Sequence, residues 1–453
     1  MVQAFKYFTK NLSLFFFVFL IIFTIDRHHW YQVASKPELG PFESDVAVYY
    51  SYLPAFFYGT PQELASICKE NRYTIGMAIM YSPAFFVGDI IARQSGEKVN
   101  GYSKPYQRAI RWGSVIFAFI GLWFARKNLL MFFSDTVTLI ALACVFFGTN
   151  LFYYTFSTGE MSHSYLFFFY SVFVYCSIKF VLEDNYKYLV WMGLLGGMMV
   201  LIRPTSVLLF LFPVVFKVSS FSDIKDRLAL FFKPRAQLLM GLVLFMIPIV
   251  LQMLVWKKYH GSYVYYSYGD ERFFFSDPQI INFLFSYRKG WLLYTPIMIF
   301  SLLGILLSRK YLNDLFWFLI LFIPLNIYIL SCWWDWGYGG SFGCRALIES
   351  YAVLIFPFAL FVKWCFSLSM KYPVGKIAIR GALLIVLFLL IQFNIFQVWQ
   401  YKNLIIHWAG MNERAYKHVF LRSSLNYGEL QYVHDSLIID VDIMKRRKGI
   451  RDD

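Results

Sequence analysis

Polar and charged positions along the chain gather between long apolar runs, and the length of those runs decides what they can do. Runs able to cross about 30 Å of hydrocarbon fall near residues 11–25, 111–125, 135–155, 164–182, 188–202, 205–216, 237–256, 291–308, 312–332, 347–362 and 381–398, eleven spans of which several are short. One further run, Tyr73 to Ala92, is also long enough, and counting it would invert everything after it. Lys and Arg in short loops stay in the cytoplasm. If Tyr73 to Ala92 does not cross, the cytoplasmic loops hold Arg126 and Lys127; Lys187; Lys217, Lys225, Arg227, Lys233 and Arg235; Arg309 and Lys310; and Lys363, Lys371, Lys376 and Arg380. That pattern is consistent. It predicts an all-α polytopic membrane protein of about eleven transmembrane helices, with Tyr73 to Ala92 as a helix lying along or dipping into the outer leaflet.

Residues 26–110 then form one long external loop bearing juxtamembrane helices, followed by external turns at 156–163 and 203, a loop at 257–290, a turn at 333–346 and a tail. The domain reading is one membrane domain over 1–398 and an external C-terminal tail with an amphipathic helix over 399–453. The Lys445 to Lys448 run of the tail counts mildly against that topology. The N-terminus, Lys6 and Lys10 before Leu12 to Ile25, resembles a signal sequence, but no small-residue cleavage site precedes IDRHHW, so it reads as a retained first helix.

Composition agrees. Hydrophobic residues make up 59% of the 453 and charged residues 15%, against roughly 45–50% and about 25% in an ordinary soluble domain. A soluble enzyme is excluded. Aromatics at 21% exclude disorder and coiled coil, and fit interfacial belts. The net charge of +15 points to cytoplasmic loops and anionic membrane lipids rather than to nucleic acid. The six cysteines have neither CxxC nor metal spacing and read as small buried hydrophobes, although Cys332 and Cys344 flank one external loop and could bridge.

An ionisable residue at membrane depth is by default a functional hypothesis, and the candidates collect at external helix ends. They are Asp45 in SDVAVYYSYLPAFF, Glu160 and His163 in STGEMSHSYLFF, Arg203 in LIRPTS, Arg288 and Lys289 before GWLLYTP, and Asp335, Arg345 and Glu349 in CWWDWGYGGSFGCRALIES. Each has a plainer reading. Asp45 could be a helix N-cap, Arg345 and Glu349 an i, i+4 helix pair, and Arg203 an interfacial snorkeller. His163 could be a hydrogen-bonded core histidine, and Arg288-Lys289 a solvated helix flank. GYGGSFG (337–343) follows no strand, so it is a tight turn letting backbone approach a substrate rather than a dinucleotide loop.

Together these segments resemble the integral-membrane glycosyltransferases of the GT-C fold, and among them the bacterial relatives of the protein O-mannosyltransferases and the lipid A aminoarabinose transferase. The resemblance runs over SDVAVYYSYLP (44–54), RYTIGMAIMYSPAFF (72–86), GYSKPYQRAIRWGS (101–114), GTNLFYYTFSTGEMSHSYLFF (148–168), GGMMVLIRPTSVLL (196–209), RKGWLLYTPIMIF (288–300), WWDWGYGGSFGCRAL (333–347) and NLIIHWAGMNERAYKHVF (403–420). It implies a GT-C-like bundle in the bacterial inner membrane, transferring a sugar from a polyprenyl-phosphate donor to a glycan, lipid or protein acceptor at the periplasmic or exterior face. Asp45 matches the family's first-loop acid, which acts as base toward the acceptor. Better-known members often carry two adjacent acids there, whereas this chain has Ser44, Asp45 and Val46, with Glu43 two residues upstream.

Chemistry points the same way. Outside the cytoplasm an activated sugar must arrive on a lipid, its phosphate leaving group needs cations, and an acceptor hydroxyl needs a carboxylate to take its proton. A single displacement would invert the anomeric centre. The resulting assignment makes Asp45 the base with Glu160 as second catalytic acid, Arg345, Lys289, Arg288 and Arg203 the donor-phosphate residues, and Tyr49, Tyr50, His163, Trp334 and Asp335 the substrate contacts. Glu160 and His163 are also the candidates for a divalent ion, which substrate phosphate would have to complete. A lipid-linked sugar flippase and a noncatalytic membrane subunit are the competing readings; a flippase should carry midplane charges and an internal repeat.

Overall fold

A segment that cannot reach water must satisfy its backbone N–H and C=O groups internally, and these apolar runs do so as helix. The computed structural model describes residues 11–26, 42–368, 373–435 and 448–450. Lys6, Lys10, residues 27–41, Lys371 and Lys445 to Arg447 lie outside the described residues. Among the described residues there is no strand, only an isolated bridge between Phe273 and Trp333. Thirteen helices among the described residues have ten residues or more: α1 Leu12–Asp26, α2 Pro61–Glu70, α3 Gly76–Ser95, α4 Lys104–Leu130, α5 Asp135–Phe147, α6 Ser162–Glu183, α7 Lys187–Ile202, α8 Phe221–Phe232, α9 Arg235–His260, α10 Ile299–Tyr311, α11 Asn313–Ser331, α12 Tyr351–Ser367 and α13 Pro373–Lys402.

Five of these, α4, α6, α9, α11 and α13 from Val374, are long and apolar enough to cross a membrane. The other expected spans are shorter or broken. The 205–216 run is a 3₁₀ turn, Pro204–Phe210, leading into Leu211–Val215. The 291–308 run is Trp291–Tyr294, a 3₁₀ turn Pro296–Met298, and then α10. In both, a proline that cannot donate a backbone hydrogen bond opens the turn. The 347–362 run starts helically only at Tyr351, after a 3₁₀ turn at Arg345–Leu347. At the far end, α13 runs to Lys402, past the expected boundary at 398. All six thiols are free and buried, so the alternative of a Cys332–Cys344 bridge is not realised.

The chain forms two compact units interleaved in sequence. One comprises residues 17–128 and 154–269. Its most extensive helix packing is α7 on α9, and glycine makes it possible. A Cβ on Gly193 would lie 2.0 Å from the Gly241 carbonyl oxygen, and one on Gly197 would lie 2.3 Å from that of Phe245. Gly193 and Gly197 are four apart, the small-xxx-small spacing that lets helix backbones meet. The rest of α9 presents apolar surface outward, including Leu239 (64% exposed) and Leu242 (54%), a face that calls for an apolar surrounding.

The other unit comprises residues 1–16, 129–153 and 270–453. Its largest packed pair is α10 on α12, where a Cβ on Gly304 would fall 1.8 Å from the Pro357 carbonyl oxygen. Buried amides stitch it together. Asn394 Nδ2 donates to the carbonyls of Phe147 and Thr149, both at 2.9 Å, and Tyr351 Oη donates to Asn150 Oδ1 at 2.8 Å.

Gly197→Val forces a branched side chain into the α7–α9 backbone contact. Overpacking of this kind costs about 1–3 kcal/mol, so unfolding in detergent should shift to clearly lower temperature, and an unchanged midpoint would show that the two helices do not meet as described.

Candidate functional site

The residues singled out in the sequence divide between the two units. In the first, residues 44–50 form a short helix whose N-cap is Glu43, without a side-chain cap bond. Asp45 is therefore not the N-cap; it sits in the first turn, after Ser44 at φ 52°. Its Oδ1 accepts from Tyr73 Oη at 2.9 Å, and the Tyr49 ring lies 4.4 Å from that of Tyr73. Tyr50 is fully buried, donates to the Gly101 carbonyl and stacks on Phe42 at 3.9 Å. These contacts brace the short helix.

Glu160 lies in the turn before α6, 3% exposed, and its Oε1 accepts from Arg111 Nε at 3.0 Å. Burial raises its pKa above the usual carboxylate range, and Arg111 opposes the rise. Tyr81 of α3 donates its hydroxyl to the Glu160 carbonyl. Its phenol is held well above its ordinary range by burial, then by Tyr165, Tyr49, Glu160 and Asp45. Tyr81 thus links the two segments: its hydroxyl is on the Glu160 backbone and its ring lies 6.1 Å from that of Tyr50, on the short helix that carries Asp45.

His163 is 2% exposed with its ring edge-on to Tyr154 at 5.3 Å. Among the described residues no group of three His, Cys, Asp or Glu side chains could hold a metal ion, so Glu160 and His163 have no third such side chain to complete a site. Arg203 is half-buried at the C-cap of α7 in extended conformation.

The second unit holds the cations. Arg288 and Lys289 are each 3% exposed, which rules out a solvated flank. Arg288 Nη1 pairs with Asp335 Oδ1 at 2.9 Å, its Nε donates to the Ala409 carbonyl at 3.2 Å, and its guanidinium lies 5.4 Å from the Trp336 ring centre. Asp335 also accepts from the backbone of Gly337 at 3.2 Å and Gly339 at 2.7 Å, so it shapes the glycine turn. A Cβ on Gly337 would stand 3.0 Å from Arg288 Nη1, so glycine there leaves room for the guanidinium. Trp334 is buried at 6% exposure, its backbone N–H bonded to the Arg272 carbonyl.

Lys289 Nζ donates to the carbonyls of Ser341 and of Trp408, the latter at 2.7 Å. Burial drives its pKa well below the lysine range, Arg288 and Arg345 push it further, and Asp335 opposes them. The Arg345 guanidinium lies beside the same turn, Nη2 being 3.9 Å from where a Cβ on Gly339 would stand. Residues 345–350 are a 3₁₀ turn followed by a further turn, so Arg345 and Glu349 are not an i, i+4 pair on an α-helix.

Sequence reasoning missed Arg111, Tyr73, Tyr81 and the 407–410 segment as parts of these clusters. His407 Nδ1 accepts from the backbone N–H of Ala409 and Gly410, at 3.1 and 2.9 Å, which holds the Trp408 and Ala409 carbonyls to Lys289 and Arg288. Burial, with His434 and Lys289 nearby, lowers its pKa to about 4. The available signal was IRWG and HWAG, which place an Arg and a His-Trp pair where apolar runs begin or end.

Removing one partner of a buried ion pair costs about 3–5 kcal/mol, because the other charge stays buried. Arg111→Gln is expected to destabilise the protein on that scale at neutral pH, and Arg111→Gln with Glu160→Gln to recover most of the loss in chemical denaturation. A double variant no better than the single would show that charge matching does not hold this corner. Against models of known protein families and against curated proteins, the chain matches none.

Proposed function

We propose that this protein is a membrane glycosyltransferase that moves a sugar from a polyprenyl-phosphate donor to an acceptor hydroxyl at the non-cytoplasmic face. The observation that carries the reading is the cationic cluster at the glycine turn. Arg288 and Lys289 are buried at this turn and the Arg345 guanidinium lies beside it. A phosphate with its several acceptor oxygens suits two guanidinium forks and an amine held this close together. Lys289 and Arg288 already donate to carbonyls and to Asp335, which fixes their positions. Arg345, half-buried beside Gly339, supplies the contact that strengthens as charge builds on the leaving phosphate.

Asp45 is the base in this reading. It is half-buried, keeps one oxygen on Tyr73, and lies in a ring-lined corner of the kind a sugar or acceptor can lie against. Glu160, held by Arg111, is the second acid that sets the field around Tyr81. A one-step displacement takes the acceptor proton to Asp45, forms the new glycosidic bond as the sugar–phosphate bond breaks, and releases polyprenyl phosphate with inversion at the anomeric carbon. The membrane bundle in this reading comprises the five long helices together with the shorter apolar ones, about eleven crossings in all, with α3 dipping into the outer leaflet beside α4 without crossing. The basic loops, including Lys217 to Arg235 and Arg309-Lys310, are then cytoplasmic.

Asp45→Asn keeps size and hydrogen bonding while removing basicity, and transfer by the purified variant should fall by about 10²–10⁴; near wild-type turnover would refute the assignment. For Arg345, loss of a hydrogen bond to a charged partner is worth about 1.5–3 kcal/mol, so Arg345→Gln should weaken donor-lipid binding on that scale. Arg345→Lys should stay impaired, because the planar fork is gone. Glu349→Gln should be much the milder variant, and unchanged donor affinity in Arg345→Gln would move the phosphate site to Arg288, Lys289 or Arg203.

A further inference from the structure

A cavity of about 840 Å³ opens between α3 and α4, within the unit that holds Asp45 and apart from the residues assigned above. The two helices run antiparallel. A Cβ on Gly88 would touch the Tyr106 backbone at 2.7 Å, and one on Gly113 would meet Ala84 Cβ at 3.0 Å, so Ser95 lies toward Lys104 and Pro83 toward Phe117. The lining is therefore graded along its length. Glu97, Lys104 and Arg108 line one end, Trp112 comes next, and the remainder is apolar, with Val87, Ile91 and Ile116 each 45–55% exposed to the groove and its surroundings.

We propose that this groove binds one anionic glycerophospholipid, with its phosphate at Lys104 and Arg108 and one acyl chain along Val87, Ile91, Ile116 and Phe117. Charge complementarity argues for an anion: the lining carries two cations and one carboxylate. Both cations lie in the first turns of α4, a 27-residue helix whose N-terminal dipole adds to their attraction for phosphate. Length argues for an acyl chain. From Arg108 to Phe117 a helix rises about 14 Å, close to the roughly 15 Å of hydrocarbon in one leaflet. A polyprenyl chain of many isoprene units would overrun it. Trp112 stands at the step from polar to apolar, the depth at which indole rings settle in a bilayer. The inference does not rest on the glycosyl-transfer reading.

The test uses the full chain in nanodiscs of phosphatidylcholine doped with phosphatidylglycerol, with retained lipid counted by native mass spectrometry. One phosphatidylglycerol per chain is expected in preference to phosphatidylcholine. Each cation near an anionic headgroup contributes about fivefold, so Lys104→Gln with Arg108→Gln should lower retention roughly 25-fold. Val87→Trp with Ile91→Trp, exposed positions that leave the core intact, should displace the lipid without changing charge. Glu97→Gln should strengthen retention by removing a repulsive carboxylate. Retention unchanged in the Lys104/Arg108 variant overturns the proposal. A loss of phosphatidylglycerol in Glu97→Gln also overturns it, since the carboxylate would then be a headgroup partner rather than a repulsive neighbour, and displacement by equimolar polyprenyl phosphate overturns it by giving the groove to the donor.

Discussion

Charge taken out of water has to be matched by an opposite charge or by several hydrogen bonds, and in a chain that is 59% hydrophobic this requirement governs where polar chemistry can sit. Glu160 is matched by Arg111, Arg288 by Asp335, and Lys289 by two backbone carbonyls. Each match draws in further structure. Asp335 spends its remaining capacity on the glycine turn, and His407 holds the carbonyls that receive the cations. Arg345 lies beside the same glycine turn, so three cationic side chains gather there. That gathering is the feature a phosphate would answer.

The helical class was legible because it follows from run length and backbone chemistry alone, and the long helices lie where their apolar runs predict. The broken segments were less legible. Pro204 and Pro296 were visible, yet a hydropathy run does not say whether its first turn is α or 3₁₀. The close approach of α7 to α9 depends on Gly193 and Gly197, whose spacing gains meaning only once Gly241 and Phe245 are known to face them. The interleaving of the two units was beyond reach, because it arises from tertiary packing across distant segments.

For the site, residue type was a better guide than local role. Asp45, Glu160, Arg288, Lys289 and Asp335 stood out as charges beside apolar runs, and all but the half-buried Asp45 are buried at 7% exposure or less. Their partners were not readable, because Arg111, Tyr73 and Tyr81 sit on other elements and look ordinary in sequence. One local explanation also failed for a physical reason: Glu43 rather than Asp45 takes the extended N-cap geometry. Residues 345–350 are 3₁₀ and turn rather than α-helix, which the spacing of Arg345 and Glu349 did not reveal. The catalytic reading draws on family resemblance for its reaction and on these clusters for its residues.

The central claim is that donor phosphate and sugar are separated by this protein rather than carried across the membrane together. The most direct measurement is made on purified protein in proteoliposomes supplied with a synthetic polyprenyl-phosphate sugar and a hydroxyl acceptor, following the fate of the anomeric carbon by NMR. The account predicts free polyprenyl phosphate and a glycoside of inverted anomeric configuration. Donor recovered intact on the opposite leaflet, with no bond broken, would contradict it.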